Sequence, residues 1–286
     1  MTQLEEQHPV VARRRLGSIL VLGVEDALGV EAMRALVTAG ARVEIADSSE
    51  RLANLGSHAA VINLVPVVDE PRGSVAYLLR APERRRRRRL LASLAEALAN
   101  APHVRLVQRS TVALYADGGD EWVAEDWPLQ PNDATVMAKV AEDIAQAQRR
   151  RGGSAVVLRF GRALDPVDAC AGTFARLARK GWQPFDGRPD AFVPLVRVDD
   201  AAVAIVAALD APSGTFNVAG PALFTNGSLN RRAADLAGKE LAPLYPAIRR
   251  ADRQLLERSW RVDSGAFTRA TGWEPRPTFG ADPVVP

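Results

Sequence analysis

Short apolar runs alternate with longer segments of helical periodicity over the first half of the chain. The runs ILVL, AVINLV and AVVLRF are almost continuously apolar, which is typical of strands buried on both faces of a sheet. The pattern predicts strands over residues 18–22, 42–46, 60–65, 104–107 and 155–160, and helices over residues 27–39, 82–100 and 132–151. Strands and helices in this alternation indicate right-handed βαβ units and a parallel sheet.

The second half of the chain has shorter elements and more proline and glycine. From about residue 165 the pattern predicts a helix near 171–180, a strand at 195–198, a helix at 199–209 and a strand at 215–218. We therefore predict an α/β fold: a Rossmann-like, doubly wound parallel sheet in residues 17–164, and a smaller substrate lobe in residues 165–286 that is partly interleaved with it. Residues 1–16 are predicted to be a flexible leader. Ligands of such folds bind at the carboxyl edge of the sheet, which places the expected site in the crevice between the lobes.

Composition narrows the class of protein. The chain has 286 residues, of which 47% are hydrophobic and 25% charged, an ordinary globular composition. No apolar run approaches the ~18 residues of a membrane span, and the first residues lack the apolar core of a signal peptide. The single cysteine, Cys170, fits a reducing compartment, so we expect a cytoplasmic protein without a membrane partner. One cysteine and three scattered histidines predict no metal site.

The turn after the first predicted strand has the spacing of a dinucleotide-binding loop. Gly23 and Gly29 occupy its outer positions, and the following helix would point its amino end at a pyrophosphate. Asp47 ends the second strand, where an acidic residue binds the adenosine ribose hydroxyls. A carboxylate at that place disfavours the 2′-phosphate of NADP, so NAD(H) is the expected cofactor and NADP is not.

Several further segments resemble one family. Residues 111–115 (TVALY) are similar to its S-[SA]-x-x-V-Y segment, and residues 131–139 (PNDATVMAK) to its P-x-x-x-Y-x-x-x-K helix. Residues 196–200, 215–218 and 272–275 are similar to its V-H-V-D-D, Y-N-V and G-W-x-P segments. The chain thus resembles the extended short-chain dehydrogenase/reductases, the NAD-dependent epimerase/dehydratase group, over most of residues 18–279. The resemblance implies an NAD-binding fold that acts on a small hydroxyl- or carbonyl-bearing metabolite.

The cofactor side departs from the family pattern at three places. Asp26 stands where the family has its middle glycine, so its charge would repel phosphates, or its side chain caps the following helix. Only 12 residues separate Asp47 from Ala60, too few for the family's adenine-contacting helix, strand and turn. Pro66 narrows the path of the cofactor backbone. Together these departures predict weak or absent NAD(H) binding.

The reaction centre departs as well. Thr135 takes the position of the family's tyrosine, while Lys139 is retained one helical turn later. A threonine hydroxyl has a far higher pKa and a shorter reach than a phenol, which disfavours acid–base catalysis near neutral pH. Thr111 matches a third family position, and Tyr115 is the nearest replacement phenol or else a packed loop aromatic. Lys139 without a tyrosine is alternatively a partly buried helix lysine. The candidate catalytic residues are therefore Thr111, Tyr115, Thr135 and Lys139.

Six consecutive arginines, residues 84–89, begin the long predicted helix. Six residues sweep more than one helical turn, so they cannot all lie on one solvated face. The resemblance implies a homodimer through the helices at 82–100 and 132–151, in which the run would pair with acidic residues of the other subunit or with an anion; a solvated charged face is the alternative. No aromatic residue interleaves the run, so nucleic acid is not an expected partner.

Two functions stay open at this point. One is an atypical member of the family with weak or lost NAD dependence, including non-redox chemistry such as isomerisation or cyclisation. The other is a non-catalytic scaffold, partner subunit or small-molecule sensor, since a fold persists without its chemistry. Both predict the same fold and a small-molecule ligand in the crevice.

Overall fold

The computed structural model describes residues 17–68, 79–164, 173–185, 187–243 and 250–278. Its centre is a six-stranded sheet in which every neighbouring pair is parallel. The strands are β1 (Ser18–Leu22), β2 (Arg42–Ala46), β3 (Ala60–Asn63), β4 (Arg105–Thr111), β6 (Ala155–Phe160) and β9 (Gly214–Val218), in the order β2-β1-β3-β4-β6-β9. Two small sheets pair β5 (Trp122–Val123) with β10 (Arg261–Val262), and β7 (Arg162–Leu164) with β8 (Leu195–Arg197).

Helices cover both faces of the sheet. They are α1 (Ala27–Thr38), α2 (Ala81–Asn100), α3 (Val136–Arg150), α4 (Thr173–Arg179), α5 (Val198–Ala207), α6 (Asn226–Ala237), α7 (Arg250–Leu256) and α8 (Gly265–Thr271). One hydrophobic core joins the sheet to α1 and α5, and a second joins it to α2, α3 and a 3₁₀ segment at Ser49–Ser57. The predicted α/β fold with a doubly wound parallel sheet is therefore confirmed.

The central strands are buried because they have almost no polar positions. All residues of β3 and β6 are buried, and in β1 only Ser18 is partly exposed. Each aliphatic side chain buried in this way contributes roughly 1.5–3 kcal/mol to folding. Strand β2 is mostly exposed and forms the edge, because the short interval after it folds into the 3₁₀ segment instead of supplying another strand.

Several predicted element boundaries were wrong. The strand predicted over residues 104–107 continues to Thr111 as β4. In two further cases one polar side chain explains the difference. Helix α3 begins at Val136 rather than at Asn132, because the Asn132 side chain accepts hydrogen bonds from the backbone of Ala134 and Thr135 and holds a turn there. Strand β3 ends at Asn63, whose side-chain oxygen accepts from the Val65 amide two residues later.

The two predicted lobes share the central sheet. Strand β9 pairs with β6, and α5 packs on α1, although both β9 and α5 follow residue 165. The leader predicted for residues 1–16, and Cys170, lie outside the described residues. Among the residues described, no helix is long and apolar enough to cross a membrane, and no group of three or more acidic, histidine or cysteine side chains is placed to hold a metal ion.

Candidate functional site

The turn after β1 packs closely against its own neighbours. Gly23 has φ +78°, and a Cβ there would lie 2.2 Å from the backbone nitrogen of Val65. A Cβ at Gly29 would lie 2.6 Å from the Cα of Val24. Both glycines are therefore required by the packing of the turn itself, whatever ligand the turn faces.

Asp26 closes the amino end of α1 and pairs with a strand arginine. Its Oδ1 accepts a hydrogen bond from the Gly29 amide at 2.9 Å, so the capping interpretation of this residue is confirmed. Arg109, on β4, donates through Nη1 to Asp26 Oδ2 at 2.6 Å and to the Leu64 carbonyl at 3.0 Å. The ion pair thus links the β1 turn to the carboxyl ends of β3 and β4.

This arrangement bears on whether the turn fits a pyrophosphate. A dinucleotide of this fold places its phosphates against the first amides of α1. Here the Asp26 carboxylate already accepts one of those amides, and its charge would face the phosphates. The residues therefore do not fit a pyrophosphate while the Asp26–Arg109 pair is in place. Sequence reasoning missed Arg109; its signal was a cation near the carboxyl end of a buried strand.

Two of the candidate catalytic residues lie on or beside α3. The Thr135 side chain is fully buried, and its Oγ1 accepts from the Asn132 amide at 2.9 Å and lies 3.3 Å from Asn132 Oδ1. Lys139 follows one turn later, half-exposed, and its Nζ donates to the Asp143 carboxylate. Thr135 is therefore hydrogen-bonded to Asn132, and Lys139 is ion-paired with Asp143, each within the same segment of the chain.

Thr111 is the last residue of β4, and Tyr115 follows it four residues later. Tyr115 is fully buried; its hydroxyl donates to Asn217 Oδ1 at 2.7 Å, and the Arg159 guanidinium lies 4.7 Å from its ring centroid. Burial raises the pKa of the Tyr115 phenol to about 12. An acid–base catalyst at neutral pH needs the opposite shift. Thr111 is partly exposed, and its hydroxyl accepts from the Ala113 amide at 3.1 Å.

A buried polar network underlies this part of the site. Arg159, on β6, donates to both oxygens of Glu142 on α3 at 2.8 Å each, and the Ser110 hydroxyl donates to Glu142 Oε1 at 2.5 Å. Burial alone would lower the pKa of Arg159, but the Glu142 carboxylate outweighs it and the pKa is raised. Sequence analysis missed the network, although an arginine inside the apolar run AVVLRF was a signal.

Two segments that carried the family resemblance contact each other. In residues 196–200, Asp200 is buried and accepts hydrogen bonds from the backbone amide and Nε of Arg276, both at 2.8 Å. Trp273, in residues 272–275, donates through Nε1 to the Asp200 carbonyl at 3.0 Å. These contacts join the carboxyl-terminal part of the described chain to α5.

A cavity of about 470 Å³ lies at the end of β2, beside the amino-terminal half of α2. We call it the arginine pocket; it is lined by Asp47, Ser48, Ser49, Pro82, Arg85, Arg86, Arg89 and Leu90. Arg86 donates to Glu25 Oε1 at 3.0 Å and to the Asp47 carbonyl at 3.2 Å. The Asp47 carboxylate itself lies at the surface, 3.5 Å from Arg51 Nε. The sequence-based expectation that Asp47 disfavours the 2′-phosphate of NADP rested on the Asp47 carboxylate alone. The structure places Arg85, Arg86 and Arg89 in the same pocket.

Comparison with known proteins identifies the fold of this chain. No protein-family model matches the chain, and no curated protein matches it. Among solved structures, UDP-glucose 4-epimerase of Thermus thermophilus, in complex with NAD, matches with a TM-score of 0.71 at 21% identity, over 91% of this chain and 94% of the epimerase. The human epimerase family protein SDR39U1 (isoform 2), with NADPH, matches with a TM-score of 0.72 at 22% identity over 90% and 94%. RMD from Pseudomonas aeruginosa, complexed with NADPH, matches at 0.66 and 20% over 91% and 93%.

The chain therefore has the fold of the NAD-dependent epimerases and related short-chain dehydrogenases, as the sequence segments implied. Two of these three neighbours are in complex with NADPH and one with NAD. The fold thus gives no support to the sequence-based expectations of weak or absent NAD(H) binding and against NADP.

Proposed function

We propose that this chain is a ligand-binding protein of the epimerase fold that binds dinucleotides weakly and does not carry out tyrosine-dependent hydride transfer. The observation that carries the proposal is the Asp26–Arg109 ion pair over the turn after β1. It is the non-catalytic function among those that the sequence left open.

Dinucleotide binding would require the turn to rearrange. Arg109 can turn from Asp26 towards a phosphate, but the Asp26 carboxylate would remain beside it. The Asp26 side chain would also have to give up the hydrogen bond of 2.9 Å that it accepts from the Gly29 amide. A hydrogen bond to a charged group contributes roughly 1.5–3 kcal/mol, so its loss on binding would weaken the affinity about tenfold to a hundredfold.

The candidate acid–base groups support the same function. The Thr135 hydroxyl is buried against Asn132, and Lys139 is paired with Asp143. The Tyr115 phenol is buried with a raised pKa. A general acid must reach the reacting proton at about 2.6–3.2 Å and needs a pKa near the working pH. The buried hydroxyls of Thr135 and Tyr115 offer neither the access nor the pKa.

The test is a binding titration with NADH and NADPH, followed by the fluorescence of the reduced nicotinamide. Asn at position 26 removes the charge that would face the phosphates and leaves a neutral capping hydrogen bond about half as strong as that of Asp26. We therefore expect Asp26→Asn to bind both dinucleotides at least tenfold more tightly than the wild type. Asp235→Asn is the matched control, because Asp235 is an exposed acid on α6. Tight binding by the wild type that is indifferent to Asp26→Asn contradicts the proposal, as does NAD(P)-dependent turnover.

The homodimer through α2 and α3 is part of this proposal. The two helices pack side by side, and Val136 and Val140 are exposed on α3 at 39% and 41%. Light scattering after size exclusion should give a dimer, and Val140→Glu should yield a monomer. A monomeric wild type at tens of micromolar would contradict it.

A further inference from the structure

We propose that the free edge of the central sheet, strand β2, pairs with β2 of a second copy of this chain. The two strands would run antiparallel across a twofold axis and join two six-stranded sheets into one. This contact is separate from the α2–α3 homodimer and from the turn after β1. It does not depend on whether the chain binds a dinucleotide.

The two edge strands of the sheet differ in how far they are covered. At one edge, the last three residues of β9 are buried, and the Asn217 amide donates to Glu125 Oε1 at 2.9 Å. At the other edge, β2 pairs with β1 alone among the described strands, and Arg42, Glu44 and Ile45 are exposed. An edge strand of this kind presents backbone donors and acceptors with which a further strand can pair.

The exposed edge results from the short interval that follows β2. This interval folds into the 3₁₀ segment at Ser49–Ser57, and the next strand, β3, pairs with the other side of β1. No described strand therefore lies on the free side of β2. Ile45, a large aliphatic residue inside a strand, is left 41% exposed, so covering it would favour association.

The side chains of β2 form two sets on the two faces of the sheet, because successive residues of a strand point to opposite faces. Val43 packs with the core that contains α1 and α5, so Ile45 lies on the same face. Ala46 packs with the core that contains α2 and α3, which places Arg42 and Glu44 on that face. One face of the edge is thus aliphatic, and the other has a cation and an anion two residues apart.

These charges select one antiparallel register. With the twofold axis at Val43, Arg42 of each chain lies directly opposite Glu44 of the other chain. With the axis at Glu44, the two Glu44 carboxylates would face each other. Opposite charges directly across an antiparallel pair stabilise it, and like charges destabilise it. The register centred on Val43 is therefore the expected one.

Both charged side chains are available for these pairs. Arg42 is exposed and makes no ion pair within the described part of the chain. The Glu44 side chain is half-exposed, with His58 Nε2 at 3.5 Å from its carboxylate. Natural edge strands are protected from pairing by proline, by bulges or by unpaired charges. In β2 the two charges are of opposite sign, so in this register they attract a second copy.

The aliphatic face fits the same register. Val43 lies opposite Val43 of the second copy, and Ile45 lies on the diagonal from it, which is a neighbouring position in an antiparallel pair. The association would therefore cover the exposed Ile45 side chains of both chains. The contact is smaller than the ~1,200–2,000 Å² of a stable interface, so we expect a dissociation constant of roughly 0.1–1 mM.

The experiment is sedimentation equilibrium of the full chain carrying Val140→Glu, the change expected to remove the α2–α3 contact. Between tens of micromolar and about 1 mM we expect this chain to pass from monomer to dimer. Amide hydrogen exchange in residues 42–46 should be slower at the higher concentration, because the β2 amides become paired. A chain that stays monomeric overturns the proposal, as does a dimer whose β2 amides exchange at the monomer's rate.

Exchanged charges identify the contact. Arg42→Glu and Glu44→Arg, each added to Val140→Glu, place like charges across the axis and should weaken self-association at least tenfold. An equimolar mixture of these two chains restores both opposite-charge pairs, so it should associate as tightly as the parent. Arg269→Glu is the control for net charge and should change nothing, because Arg269 is exposed on α8, which packs on β9 at the other edge.

Rescue in the mixture is a result that a misfolded variant cannot give. The double exchange, Arg42→Glu with Glu44→Arg in one chain, should likewise restore self-association. Self-association that neither single exchange weakens overturns the proposal, as does a mixture that stays monomeric together with a double exchange that does not restore it.

These results are distinguishable from a failure of the proposed function. A Val140→Glu chain that stays dimeric at tens of micromolar until Arg42→Glu is added would overturn the α2–α3 homodimer and support the β2 contact. Tight NADH binding by the wild type would overturn the proposed function and leave the concentration dependence of the β2 contact as predicted.

Discussion

Two neighbouring places at the carboxyl edge of the sheet, the ends of β1 and of β2, are built in opposite ways. At the turn after β1, Asp26 and Arg109 come from different elements and neutralise each other at 2.6 Å. At the end of β2, three arginines come from one helix and face a cavity of about 470 Å³ with a single carboxylate in its lining. The contrast indicates that side chains fill the carboxyl edge of the sheet where opposite charges meet. A cavity is left where one helix face carries several like charges.

A second set of neutralised charges lies in the buried network of Ser110, Glu142 and Arg159, which joins β4 and β6 to α3. Side chains in the turn and in this network serve the fold, so substitutions there should change stability. Side chains of the arginine pocket face solvent, so substitutions there should leave stability almost unchanged. Four substitutions test this contrast, and their effects on stability should decrease from the buried network to the pocket.

The largest effect is expected from Glu142→Leu. This change leaves the Arg159 guanidinium buried without its carboxylate, and breaking a buried ion pair lowers the free energy of unfolding by roughly 3–5 kcal/mol. Urea denaturation measures the loss. The double change Glu142→Leu with Arg159→Leu should recover part of it, because no buried charge remains unpaired. A loss below about 1 kcal/mol in the single variant would show that the network does not support the fold.

A smaller effect is expected at the turn. Asp26→Ala removes both the cap of α1 and the partner of Arg109, and should lower the free energy of unfolding by roughly 2–3 kcal/mol. Asp26→Asn keeps a capping oxygen and should lose less. The comparison uses the same urea titration, and equal losses in the two variants would mean that the cap contributes nothing.

The third prediction concerns alkaline pH. The pKa of Tyr115 is raised by burial to about 12, above the ordinary value of about 10, so the unfolded chain releases this proton first. The contribution of Tyr115 to stability is therefore constant below about pH 10 and falls between pH 10 and 12, by roughly 2 kcal/mol at pH 12. Absorbance titration of the phenolate should lack a transition near pH 12 in Tyr115→Phe. A transition near pH 10 assigned to Tyr115 would contradict the burial argument.

The smallest effect on stability is expected in the arginine pocket. Arg89→Gln should change the free energy of unfolding by less than about 0.5 kcal/mol, or raise it slightly, since it removes an exposed cation from a like-charged run. Thermal unfolding without added phosphate measures it. Destabilisation above about 1 kcal/mol would mean that Arg89 packs as a structural residue, and the contrast between the turn after β1 and the arginine pocket would fail.

The sequence predicted most of the sheet because strands buried on both faces are short, almost continuously apolar runs. The runs ILVL and AVVLRF predicted the positions of β1 and β6. The interval after Asp47 was predicted to be too short for a further helix and strand, and the structure accordingly has β2 at the edge of the sheet. These features depend on neighbouring residues, which a single sequence displays directly.

The pairings across the site depend on distant residues and could not be predicted in the same way. Arg109 lies 83 positions from Asp26, and the sequence offered many other cations. It left open whether Asp26 repels a phosphate or caps a helix, and the Gly29 amide settles the capping role. Thr135 matched a motif position by spacing, but burial against Asn132 is a tertiary outcome that spacing does not reveal.

The most direct test compares the thermal shift that NADH produces at the same millimolar concentration in the wild-type chain and in Asp26→Asn. A ligand present at a hundred times its dissociation constant adds about 2.7 kcal/mol of stability, so the two shifts rank the two affinities. If the Asp26–Arg109 pair closes the turn, NADH raises the melting temperature of Asp26→Asn more than that of the wild type. An equal or larger shift in the wild type would mean that the turn opens readily for a pyrophosphate, and would contradict the account.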